Sequence, residues 1–165
     1  MEDFWVINTG FKYEGLAKRL SNLCAYAFVL DGVECGGIEG FLQSLKVEDQ
    51  TTKLQIAKLH GFQAWRSGQD HNGWKDTQTL YWNGGTIPRL SKKYQRLLER
   101  AYDACFDANP EFAAALYESE DAILTHSMGK RNPTNSTLTE HEYIYNLYRL
   151  RARVQQMLRK HQTKS

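Results

Sequence analysis

The stretch Gly37-Ile38-Glu39-Gly40-Phe41-Leu42-Gln43-Ser44-Leu45-Lys46 decides how this chain is read. Ile38, Phe41, Leu42 and Leu45 recur at three- and four-residue spacing, which predicts a helix with one apolar face. Glu39, Gln43 and Lys46 fall at i, i+4 and i+7 and so line up on a second face. Opposite an apolar stripe such a row is ordinarily the solvated side, and Glu–Gln–Lys spacing is common helix chemistry. A carboxylate, an amide and an amine in one row, on a helix whose other face is buried, can also line a pocket.

Working outward, the 165 residues predict one domain, 1–165, with enough chain for a core of its own. An apolar share of 41% and a charged share of 24% are those of an ordinary soluble globular protein. The formal charge of +2 gives no support to a chain that holds nucleic acid by bulk electrostatics and leaves room for a local basic patch. Cys24, Cys35 and Cys105 are widely spaced, with no Cys-x-x-Cys or His-x-x-x-His pair, so neither a zinc site nor a disulfide framework is expected. The start, Met1 to Ile7, lacks the basic and long apolar character of a signal peptide, and no stretch approaches a membrane span. A cytoplasmic protein with no membrane partner is the expectation.

Short elements surround the central helix. Phe4 to Asn8 reads as a strand and Tyr13 to Leu20 as a short helix. Tyr26 to Val33 reads as a hairpin turning at Asp31-Gly32, the pair a type I′ loop needs. Asp49 caps a helix over Gln50 to Leu59 that His60-Gly61 can end, and Phe62 to Arg66 makes another helical piece. Gln69 to Thr77 reads as a polar loop, and a second hairpin spans Thr79 to Ile87 around Asn83-Gly84-Gly85. Ser91 caps a long helix to about Phe106, with Tyr94, Leu97, Leu98, Ala101 and Cys105 on its apolar face. Lys92, Lys93, Arg96 and Arg100 cover another face, a solvated surface or the best basic patch for a phosphate-bearing ligand. Asn109-Pro110 starts a helix to about Tyr117, Ala122 to Thr125 is a short strand, and Met128 to Ser136 is a loop. Thr139-Glu140-His141-Glu142 is a capping box opening a last helix whose apolar face is Tyr143, Leu147, Leu150, Val154 and Met157, with a frayed tail from Lys160 to Ser165. The fold class expected is α+β: one compact, mostly helical domain with a few short strands.

The order Arg19-Leu20-Ser21-Asn22-Leu23, then Ala27 to Glu34 with its Asp31-Gly32 turn, then Ile38-Glu39 with Gln43 and Lys46, resembles the NADAR family (NAD- and ADP-ribose-associated domains). Members of that family carry a Leu-Ser-Asn-Phe-like segment, a short Asp-Gly hairpin and a Ser-x-Glu-x-x-x-Gln-x-x-Lys-like helix. The likeness runs from about Leu20 to about Arg153. It implies an N-glycosidase acting on an ADP-ribosyl compound, such as ADP-ribosylated guanine in nucleic acid, or on a phosphorylated riboflavin-pathway intermediate, with no cofactor and no metal. The chain departs from better-known members near its end. Where they carry a tryptophan-containing segment, Leu124-Thr125-His126-Ser127-Met128-Gly129 stands here, so His126 and Ser127 become candidates for binding ribose or phosphate. They are neighbours whose side chains point apart, which excludes a Ser-His-Asp reading.

Cleaving an N-ribosyl bond needs a group to protonate the leaving base, a group for C1 of the ribose and donors for phosphate. Glu39 is the candidate acid/base, its carboxyl kept protonated by a dry pocket. Lys46 is the second catalytic candidate, either as a Schiff-base amine or as a phosphate contact. The two stand about 10 Å apart along the helix axis, with Gln43 between them. Arg19, Ser21 and Asn22 offer guanidinium, hydroxyl and amide to phosphate and sugar, although a Ser-Asn turn satisfies itself unaided. Trp65, Trp74 and Trp82 compete to stack on the base, with Trp82 favoured beside its glycine turn. The alternative function is a non-catalytic module binding NAD-derived nucleotides, for which Glu39 is dispensable, and a third is an interaction protein with a decayed site.

Overall fold

The computed structural model describes residues 5–162. About half of these are helical, and the three sheets have two strands each. β1 (Val6–Asn8) pairs in parallel with β6 (Ile123–Thr125), which ties the first strand to the segment that precedes the last helix. After α1 (Gly15–Arg19), β2 (Phe28–Leu30) and β3 (Val33–Cys35) form an antiparallel hairpin. Asp31 and Gly32 sit at φ 50 and 78, the two left-handed positions a tight loop requires. α2 (Ile38–Ser44) is the predicted central helix, followed by α3 (Gln50–Ala57) and α4 (Gly61–Gly68). β4 (Thr79–Trp82) and β5 (Gly85–Pro88) make the second hairpin, turning at Asn83-Gly84.

The long α6 (Lys92–Ala108), α7 (Pro110–Glu118) and α8 (Glu140–Gln162) complete the body. Ser91 Oγ accepts from the Tyr94 N–H, Asp49 Oδ2 accepts from the Thr52 N–H, and Thr139 and Glu142 close their capping box in both directions. The apolar stripes of α2, α6 and α8 meet in one continuous core with Leu80 and Ile87 of the second hairpin. Phe41, Leu45, Leu98, Ala101, Leu147 and Leu150 are wholly enclosed there.

Two glycines set how closely α2 is gripped. A methyl at Gly40 would lie 2.1 Å from the Leu59 carbonyl oxygen, so only glycine lets the end of α3 rest on α2. A methyl at Gly68 would fall 1.7 Å from Gln43 Oε1, so α4 closes directly over the polar row of α2. That second contact buries Gln43, which a surface helix would expose.

Several expectations are corrected. The segment Gln69 to Thr77 is not all loop: α5 (Trp74–Thr77) forms there because Trp74 is an apolar anchor, 2% exposed, and Gln78 ends the turn at φ 55. Gly61, at φ 59, opens α4 instead of ending α3, which stops at Ala57. Asn109 makes no side-chain cap for α7 and instead donates to the Cys105 and Ala27 carbonyls. Met157 is half-exposed, since α8 outruns the body and Leu158 takes the inward position after Val154. The strand start at Phe4 lies outside the described residues, as does the tail beyond Gln162, whereas Lys160 to Gln162 are helical. Among the described residues no helix is long and apolar enough to cross a membrane.

Candidate active site

A cavity of about 330 Å³ opens beside the polar face of α2. Glu39, Gln43 and Lys46 all line it, because α2 keeps its apolar face on the core and turns this row the other way. Gln43 Nε2 donates to Glu39 Oε1 at 2.7 Å, which orients the carboxylate, while Gln43 Oε1 is buried without a partner. Burial raises the Glu39 carboxyl above its usual range, against the opposing pull of the Gln43 hydrogen bond and the Lys46 charge. Burial pushes the Lys46 amine down to about 8; Glu39 resists that shift, and Lys75 and Lys130 add to it. A carboxyl shifted upward and an amine shifted downward thus face the same enclosed space.

The turn before the first hairpin supplies a second wall. Ser21 and Asn22 line the cavity, and the Asn22 carbonyl accepts from the Glu39 N–H at 3.3 Å, tying that turn to the start of α2. Their side chains are partly spoken for: Asn22 Oδ1 accepts from the Tyr102 hydroxyl at 2.9 Å and Ser21 Oγ from the Leu23 N–H at 3.1 Å. His126 reaches the cavity just beyond β6. Its Nδ1 lies 2.9 Å from the Thr9 carbonyl oxygen, an acceptor only, so Nδ1 carries the proton and Nε2 is the free acceptor in the neutral ring. Its ring meets Tyr143 edge-on at 5.0 Å.

A buried charge network holds the irregular segment 136–139, which lines the cavity on another side. Arg89 is fully enclosed, donates to the Ser136 carbonyl at 2.8 Å and grips Glu142 with two N–H groups at 2.7 and 3.1 Å. Glu142 also accepts from the Thr139 N–H and from Gln95 Nε2, and the Tyr94 hydroxyl donates to the Thr137 carbonyl. Burial alone would raise the Glu142 carboxyl, but Arg89, Gln95 and the Thr139 N–H together hold it below its usual range.

Five expected placements are corrected. Trp82 is not at the cavity: β4 alternates, Leu80 and Trp82 both face the core, and Trp82 Nε1 donates to Asp31 Oδ2 at 2.7 Å. Trp74 is core as well, and it is Trp65 on α4, 49% exposed, that stands on the cavity wall. Arg19 points to the surface, where it pairs with Glu118 at 2.6 Å across the end of α7. Ser127 is exposed and engaged with Asn8, whose Nδ2 donates to its hydroxyl at 2.7 Å. The basic face of α6 does not reach the cavity, and its Arg100 pairs with Asp31. The cations that do are Lys46, Lys75 and Lys130, the last two drawn from α5 and from the loop after β6. In the sequence these last two lie in polar stretches between expected elements, and no local pattern marks them. Among the described residues no group of three or more His, Cys, Asp or Glu could hold a metal ion.

Residues 14–152 match the family described as bacteriophage protein GP30.3. The chain is 35% identical over 139 residues to an uncharacterized 17.1 kDa protein in the Gp30–rIII intergenic region of Enterobacteria phage T4, covering 84% of this chain and 90% of that protein. Its fold is similar to the NMR structure of the E. coli protein YbiA, with a TM-score of 0.59 at 18% identity over 97% of this chain and 89% of that one. The chain therefore belongs to the bacteriophage protein GP30.3 family, and its domain is NADAR-like.

Proposed function

We propose that the protein is an N-glycosidase-type hydrolase that cleaves the bond between a ribosyl group and its base, in an ADP-ribosyl compound such as ADP-ribosylated guanine or in a phosphorylated riboflavin-pathway intermediate. The observation that carries the reading is the divergence within one cavity: a glutamate whose carboxyl is raised beside a lysine whose amine is lowered to about 8. Acid and base roles at one site are set by environments that push two titratable groups in opposite directions. At about 330 Å³ the space lies at the low end of the roughly 300–1,000 Å³ of small-ligand sites, enough for a ribosyl group with its scissile bond enclosed.

In this reading Glu39 gives its proton to the leaving nitrogen as the C1–N bond breaks, and the electron pair departs with the base. Lys46 acts at C1. Its neutral amine adds to the ribose carbon, forming a C1–Nζ bond and passing its proton to the Glu39 carboxylate. The ring then opens as the ring oxygen takes that proton, leaving a Schiff base at C1. Water adds to it, which frees the ribose, restores the amine and returns a proton to Glu39. Gln43 holds the Glu39 carboxyl in place, His126 Nε2 accepts from a ribose hydroxyl, and Ser21 and Asn22 border the sugar. Trp65 takes the stacking role at the cavity wall. NADAR-type families are linked to glycosidase chemistry, which agrees with this assignment.

The test incubates purified wild type, Glu39→Gln and Lys46→Ala with a guanine-ADP-ribosylated oligonucleotide and, in parallel, with the phosphorylated ribosylamine intermediate, following substrate mass. Loss of the ribosyl group from either substrate with wild type and with neither variant supports the reading. Binding without turnover by all three proteins identifies a nucleotide-binding module instead.

A further inference from the structure

The charged lining of the cavity is lopsided: one carboxylate, Glu39, against three lysines, Lys46, Lys75 and Lys130. None of the three amines makes an ion pair or a side-chain hydrogen bond, although eight ion pairs are formed elsewhere among the described residues. Three cations gathered on one concave wall with a single carboxylate among them repel one another, and a protein gains nothing from that arrangement by itself. A ligand anion would relieve it.

The backbone beneath the two outer lysines is fixed in place. Gln78 Nε2 donates to the Lys75 carbonyl at 2.8 Å and to the Thr134 carbonyl at 3.0 Å, so one side chain staples α5 to the loop that carries Lys130. Gln78 does this from a left-handed backbone at φ 55, a conformation that costs a non-glycine residue on the order of 1 kcal/mol. On the other side the Lys130 carbonyl accepts from the Glu140 N–H at 2.8 Å, at the start of α8. Two segments far apart in sequence are thereby held so that their amines face the same opening as Lys46.

We propose that Lys75 and Lys130 form an anion subsite at the mouth of the cavity that takes the phosphate of a phosphorylated ribosyl ligand, setting the sugar so that C1 points inward to Glu39 and Lys46. This deepens the glycosidase reading and rests on it for the identity of the sugar, but the subsite itself is a binding claim. It separates the roles of the lysines: Lys75 and Lys130 hold charge, and Lys46 is left for C1. The ligand phosphate is a terminal monoester or one phosphate of a pyrophosphate, and both present the same oxygens to an amine pair.

The experiment measures binding by titration calorimetry of ribose 5-phosphate, ADP-ribose and ribose to wild type, to the double variant Lys75→Ala/Lys130→Ala, and to the α6 control Lys92→Ala/Lys93→Ala. Lys75 and Lys130 are exposed, so the double variant retains the fold, checked by an unchanged Tm without ligand. The expected result is that the double variant loses at least about tenfold in affinity for ribose 5-phosphate, ADP-ribose or both, while the α6 control binds as wild type does. Preference for ribose 5-phosphate assigns a monoester, and preference for ADP-ribose assigns a pyrophosphate. Phosphate-dependent binding by a protein that hydrolyses no substrate removes the glycosidase reading and leaves the subsite standing. Undiminished affinity in the double variant, or an equal loss in the α6 control, overturns the subsite whether or not the protein is an enzyme.

Discussion

Lys46 and Lys53 flank the same end of α2, and both amines are pushed down to about 8 by burial, yet their surroundings differ. Lys53, 3% exposed, donates to the Ser44 carbonyl at 2.7 Å and to the Tyr81 carbonyl, with the Trp82 ring 5.5 Å away. It satisfies the C-terminal end of α2 and pins β4 to it, as a cation at a helix C-terminus should. Lys46 has no such partners and opens on the cavity with Glu39, Lys75 and Lys130. The shifted amine is therefore not what marks a site. A site is marked by a shifted group that the fold leaves unsatisfied and accessible.

The carboxylates repeat the contrast. Glu142 is saturated by Arg89, Gln95 and Thr139, which hold its carboxyl below the usual range, whereas Glu39 has Gln43 alone and burial raises its carboxyl. One builds the wall and the other faces the cavity.

The largest expected effect separates these two. Glu39→Gln should lower turnover by about 10²–10⁴-fold with Tm unchanged or slightly raised. Arg89→Ala should cost about 3–5 kcal/mol of stability in a urea titration, because it strands the Glu142 charge in the interior. Activity surviving in Glu39→Gln, or an unaltered urea midpoint in Arg89→Ala, would collapse the distinction.

The tryptophans sharpen it further. Trp82→Ala empties a core position and should cost about 3–5 kcal/mol of stability. Trp65→Ala should leave the melting curve alone and weaken substrate binding by the equivalent of about 1–3 kcal/mol, read as a rise in KM.

Lys53→Met strips two carbonyls of their donor and should cost about 1–3 kcal/mol while turnover stays within a few-fold of wild type. Lys46→Met should do the reverse, abolishing turnover without destabilising the fold.

A further effect lies in the pH dependence of Lys46→Met. An amine lowered to about 8 in the folded protein, against about 10.4 unfolded, is still protonated in the unfolded chain between those values. The folded state binds fewer protons there, so that lysine's penalty is fully present below pH 8 and fades as pH rises toward 10. The Tm advantage of Lys46→Met over wild type should accordingly be greatest at pH 7 and shrink between pH 8 and 10. An advantage that grows with pH would reverse the assignment.

How much of this was legible in the chain depends on how local each signal is. Glu39, Gln43 and Lys46 were readable because helical periodicity places them on one face and Phe41 and Leu45 state which face is buried. The hairpin at Asp31-Gly32 and the capping box at Thr139 were equally local. Trp82 was misplaced although its own strand held the answer: in Thr79-Leu80-Tyr81-Trp82 the alternation puts it on the side of Leu80, facing inward. Arg19 and Ser127 were misread for a different reason, since Glu118 and Asn8, which engage them, lie far along the chain. Lys75 and Lys130 carried no signal, because their meaning arises only when Gln78 and Glu140 bring α5 and the loop after β6 to one opening.

The most direct test of the central claim is to trap the reacting enzyme with borohydride and locate the modified lysine by fragmentation mass spectrometry. The account predicts a reduced ribosyl adduct on Lys46 and none on Lys53, in wild type and in Glu39→Gln given time. An adduct on Lys53, or full turnover by wild type with no adduct at Lys46, would contradict it.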